Sequence, residues 1–196
     1  MKKQTISYKE IMGFNPCYDP VEIGMPKNYE ASIVDFIGEY RIKVAEKNDI
    51  VWVLVRKKYL SGKELRLFAT CCARQVQHLM KDSRSIKALD VAEKYANGEA
   101  SKSDLTEANA AAFAAAAAAA AAYDAAYDAA YARAADAARA AAFAADDAAA
   151  DDAAYDAAYA TRAAIFAAFA ANDDTANADA HEAQIDKLSE IFKSRL

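Results

Sequence analysis

The sequence predicts an all-α protein, a multi-helix bundle with a short N-terminal helical subregion and long alanine-rich helices folded back on one another. Three observations predict it. Residues 108–171 are mostly alanine, the strongest helix former, with no Gly or Pro to interrupt the run. The large apolar residues before residue 100 recur mainly at three- and four-residue spacing. Helix-start and helix-stop residues flank those stretches, above all Ser61 with Glu64 and Asn97 with Gly98.

In chain order, residues 5–14 read as a short helix that runs into Asn15-Pro16-Cys17-Tyr18-Asp19-Pro20, a stiff, turn-rich connector prolonged by Gly24-Met25-Pro26. Residues 29–46 place Ile33, Phe36, Ile37, Tyr40 and Val44 at helical spacing. Asp49 is then an N-cap for residues 50–59. Ile50-Val51-Trp52-Val53-Leu54-Val55 is β-rich by propensity, but without a second strand to pair with it a helix is expected. Ser61 and Glu64 form a capping box for a helix whose Leu65, Phe68, Cys72, Val76 and Leu79 share one face. Asp82 or Ser83 caps the next helix, with Ile86, Leu89 and Tyr95 inward, and Gly98 closes it. Ser101 and Asp104 resemble another cap, ahead of Leu105.

The alanine tract carries a Tyr-Asp-Ala-Ala tetrad or a near copy at Tyr123, Tyr127, Tyr131 and Tyr155. At 100° per residue, Leu105, Phe113, Tyr123, Tyr127 and Tyr131 fall within about a quarter-turn. Phe143 lands opposite, and Tyr155, Tyr159, Ile165, Phe166 and Phe169 share a second, rotated face. A straight helix would expose one stripe and extend roughly 100 Å at about 1.5 Å per residue. A break is therefore expected between Arg139 and Asp152, where paired aspartates offer caps, and another at residues 172–175. Residues 176–196 then make a closing amphipathic helix with Ile185, Leu188 and Phe192 inward.

Charge divides the chain into a basic region, 1–103, and an alanine-rich acidic region, 104–196, expected to pack as one unit. The second holds 16 acids against 6 bases, so the net charge of −5 conceals +5 followed by −10. Arg56, Lys57, Lys58, Lys63, Arg66, Arg74, Lys81, Arg84 and Lys87 read as a docking surface for the acidic half or for an acidic partner rather than for nucleic acid. Three cysteines without framework spacing favour a reducing compartment, and no segment reads as a signal peptide or membrane span, so a cytoplasmic protein is expected.

Catalytic signatures are missing from the sequence: it has no phosphate loop, no HExxH, no CxxC and no nucleophile elbow. His78 and His181 lack partners at ligand spacing, and Cys71 and Cys72 diverge by about 100° on a helix, with Cys72 in the core series. No metal or cofactor is expected. Arg162 stands apart, because it falls inside the arc of Tyr155, Tyr159, Phe166 and Phe169. A guanidinium on a buried face needs an anion, either an internal Asp147 or Asp151 or a bound phosphate beside stacking tyrosines. The candidate ligand-binding set is Arg162, Tyr155, Tyr159, Arg133, Arg139, Tyr127 and Tyr131.

Three runs carry a resemblance. They are Asn15 to Pro20 (NPCYDP), Leu65 to Arg74 (LRLFATCCAR), and Asp82-Ser83-Arg84-Ser85 leading to Val91 to Ala100 (VAEKYANGEA). With the alanine tract they resemble the immunity protein family, alanine-rich helical proteins of bacteria and phages, over essentially the whole chain. The resemblance implies a helical, non-enzymatic role and brings no catalytic or binding residues with it. The leading expectation is a protein that neutralises a toxin or defence effector. The alternative is a sponge for an anionic, nucleotide-like immune signal held near Arg162. A self-assembling helical protein comes third, and a homo-oligomer is compatible with each.

Overall fold

The computed structural model describes residues 3–43, 48–121 and 174–195, and these are mostly helical, in agreement with the all-α expectation. Two serines organise the N-terminal region. Ser7 ends strand β1 (Thr5–Ser7) and caps helix α1 (Tyr8–Met12), with Glu10 completing the capping box. Ser32 ends strand β2 (Glu30–Ser32), and its Oγ accepts from the Asp35 amide at 3.0 Å at the start of helix α2 (Ile33–Lys43). The strands pair antiparallel with Ile6 opposite Ala31. This corrects two expectations, a helix from residue 5 and a chain without strands. Three residues are too few to show alternation in the sequence. The pair persists because Ile6 is fully buried and two helices pack around it.

The connector after α1 passes Asn15 in a left-handed conformation (φ 54°). It makes a 3₁₀ turn, Pro20–Ile23, capped by Asp19 and ended by Gly24 (φ 82°). Ile33, Phe36, Ile37 and Tyr40 of α2 are buried, as their spacing predicts. Helix α3 (Asn48–Leu54) is a helix as expected, but it stops five residues earlier than Tyr59. Asp49 lies inside its first turn, where its carboxylate accepts the Tyr18 hydroxyl at 2.7 Å.

The Ser61–Glu64 box opens α4 (Gly62–Gln75) with both of its bonds formed. Leu65, Phe68, Cys72 and Val76 are buried. Leu79 is only partly buried, because α4 gives way to a 3₁₀ turn at Gln77–Leu79 and Met80 takes the inward place. Helix α5 (Ser83–Asn97) is capped by Asp82 and ends on Gly98 (φ 81°). Helix α6 (Lys102–Ala121) packs along it through Ala88, Ala108 and Ala112, with Leu105 against Ala92.

Helix α7 (Asp174–Lys193) seats Ile185, Leu188 and Phe192 at zero exposure, in the core shared with α2, α3 and α4. Two arginines fasten it. Arg41 of α2 donates to Glu182 and Asp186, each at 2.6 Å, and Arg195 donates to Glu64 at 3.0 Å and to the Tyr59 carbonyl at 2.8 Å. Several residues of the expected basic docking surface have partners in their own half instead: Lys58 with Glu10, Arg74 with Asp90 and Glu93, and Arg84 with Asp82. For Arg84 the acid is a sequence neighbour and for Arg74 the acids lie on the next helix, whereas Glu10 reaches Lys58 only through the fold. Among the described residues, no helix is long and apolar enough to cross a membrane.

Candidate functional site

The connector, α2 and α3 enclose an apolar pocket of about 190 Å³. Two ties hold the connector in place. The Tyr8 hydroxyl donates to Asp19 at 3.1 Å, and the Tyr18 hydroxyl donates to Asp49 on α3. Pro16, Cys17, Pro20 and Met25 come from the connector, Phe36 and Tyr40 from α2, and Ile50, Trp52 and Val53 from α3. The sequence folds this way because Ile50, Val51, Val53 and Leu54 of the short α3 all turn inward. That leaves Trp52 at the mouth, 37% exposed.

Trp52 has a second neighbour besides the pocket. Phe14 meets its ring edge-on at 85°, with centroids 6.4 Å apart. The Arg56 guanidinium, in the turn after α3, lies 4.0 Å from the Phe14 centroid and 4.6 Å from that of Trp52. Burial lowers the Arg56 pKa from its usual value, although the group stays cationic at any physiological pH. The arrangement is a cation held between two aromatic faces.

Two phenols line the pocket. Burial, and then the bond to Asp49, push Tyr18 well above the usual tyrosine pKa, so it remains a neutral donor. Tyr40 is raised by burial, and its hydroxyl is buried without a hydrogen-bond partner. Elsewhere, a larger cleft of about 420 Å³ between α4, α5 and α7 is lined by Glu64, Arg74, Glu93 and Lys187. Those groups engage Arg195, Asp90 and Glu190 or one another. Cys71, in the same cleft, is raised by burial and so stays a thiol. Among the described residues, no group of three or more His, Cys, Asp or Glu side chains is placed to hold a metal ion.

The sequence-derived candidates Arg162, Tyr155, Tyr159, Arg133, Arg139, Tyr127 and Tyr131 all lie outside the described residues, as does the expected break between Arg139 and Asp152. The Trp52 pocket escaped the sequence reading, which took residues 50–59 only as a helix. Two signals pointed to it: the lone tryptophan of the chain interrupts an otherwise inward apolar run, and a cation follows four residues later. Comparison with family models, with curated proteins and with solved structures finds no match for this chain.

Proposed function

We propose that this chain is a non-catalytic helical binding protein that neutralises a protein partner of the toxin or defence-effector kind by occupying its surface. The observation that supports it is Trp52, 37% exposed at the mouth of an apolar pocket and beside Arg56. Trp, Tyr and Arg at a pocket mouth are the residue types that dominate binding energy in protein interfaces. Most of the pocket lining is apolar, and Tyr18 is a donor to Asp49, so the site offers contact area with a polar edge.

The test starts with partner capture by the tagged wild-type chain and identification by mass spectrometry. Calorimetry with the purified partner then compares wild type with Trp52→Ala. The expected loss is about 2 kcal/mol, roughly thirtyfold in Kd, with the far-UV circular dichroism unchanged. Equal affinity of the two proteins would remove the pocket from the binding surface. The nucleotide-sponge alternative rests on Arg162 within its aromatic arc. A nucleotide that raises the melting temperature of wild type but not of Arg162→Ala would favour it.

A further inference from the structure

Arg56 differs from the arginines that hold the fold together. Arg41, Arg74, Arg84 and Arg195 each meet a carboxylate. Arg56 meets two rings, no carboxylate among the described residues pairs with it, and its Nε is buried without a hydrogen-bond partner. A partly desolvated guanidinium is completed by an anion, best by a carboxylate that takes two of its N–H groups. Two further cations lie close in the fold: Lys58 follows two residues on, and the Lys3 amide donates to the Lys58 carbonyl at 3.3 Å. Lys3 and Lys58 share the single carboxylate of Glu10, which leaves one positive charge over.

Building on the binding role above, we propose that Arg56, Trp52 and the apolar pocket form one composite docking site for an acidic protein segment. An apolar side chain of the segment enters the pocket, and a neighbouring carboxylate pairs with Arg56. The Trp52 ring belongs to both halves, so it sets their spacing. The guanidinium lies 4.6 Å from the ring centroid, and an anchor in the pocket touches the ring at about 4 Å. In an extended segment, side chains two residues apart share a face at about 3.3 Å per residue, so an acid at that spacing from the anchor lies on the side of the segment that faces the site. Asp49 fixes the polarity. It lines the pocket, and a carboxylate there repels an acidic anchor, so the acid must sit on the Arg56 side.

Trp52 is the only tryptophan, so its fluorescence reports the site directly. The probes are acetylated, amidated pentapeptides of sequence EELEE, QQLQQ and EEAEE, with iodide and caesium as quenchers. In wild type, EELEE should shift the emission saturably, and the neutral and alanine-centred peptides should bind at least tenfold more weakly. The ratio of iodide to caesium quenching should exceed that of free N-acetyltryptophanamide. Arg56→Gln, shown to be folded by circular dichroism, should weaken EELEE toward the affinity of QQLQQ and lower that ratio. Arg56→Lys serves if the glutamine variant fails to fold, and should keep the ratio while weakening EELEE. Equal affinity for EELEE and QQLQQ, no saturable response to any peptide, or a Trp52 closed to both quenchers would overturn the proposal. A captured partner that needs Trp52 but ignores Arg56→Gln would sink the composite site and leave the binding role standing.

Discussion

Glu10 shows how one side chain ties distant parts of the chain together. Its Oε2 accepts the Ser7 amide at 3.1 Å, while Oε1 pairs with Lys3 at 2.8 Å and with Lys58. Burial by itself would raise its pKa, but the two lysines overcome that and hold it at about 2. A carboxylate depressed in the folded state contributes stability above its unfolded pKa, near 4.5, and loses it as pH falls toward 2. Glu10→Gln should therefore flatten the stability–pH curve between those values. It should also cost roughly 1–2 kcal/mol at neutral pH, discounted because both lysines are partly exposed to screening solvent. Urea denaturation at pH 7 and pH 3 measures both effects; parallel curves for the two proteins would contradict the assignment. The Ser7-to-Glu10 spacing is visible in the sequence. The Lys58 contact, 48 residues away, is a product of folding.

At the scale of elements, the sharpest boundaries are those made by local chemistry. Asp82 opens α5 and Gly98 closes it, and both were readable because a cap satisfies backbone groups within a turn of itself. An added Cβ at Gly98 would touch nothing within 4 Å, so the cost of a substitution there is purely conformational (φ 81°). Gly98→Ala should destabilise by about 1 kcal/mol and Gly98→Asn by less, since Asn tolerates the left-handed region. Denaturation midpoints check this; an unchanged Gly98→Ala midpoint would mean the α5 terminus relaxes freely. The β1–β2 pair was not readable, since it depends on partners far along the chain: the Tyr8 amide donates to the Tyr29 carbonyl at 3.0 Å, and that of Ile33 to the Gln4 carbonyl at 2.8 Å.

At the scale of the whole molecule, α7 closes the core, and packing and charge contribute unequally. Phe192 is fully buried among α2, α3 and α4 partners, whereas the side chain of Arg41 remains 32% exposed in its pairs with Glu182 and Asp186. Phe192→Ala should cost about 3–5 kcal/mol. Arg41→Ala should cost no more than about 1 kcal/mol, less still at high salt. Guanidinium denaturation of the two variants decides this; the reverse order would make electrostatic attraction, not burial, the tie that holds α7. Among the described residues, the Arg41 pairs are partly exposed clasps laid over an apolar seam.

By itself, the sequence determined the helical class, the caps of α4, α5 and α6 and the inward faces of α2, α4 and α7. Each follows from interactions within a turn or two of the residue concerned. Tertiary structure alone decided the strand pair, the cage of lysines around Glu10 and the site at Trp52. Phe14, Trp52 and Arg56 come together there because the connector folds back onto α3, and no local periodicity encodes that contact.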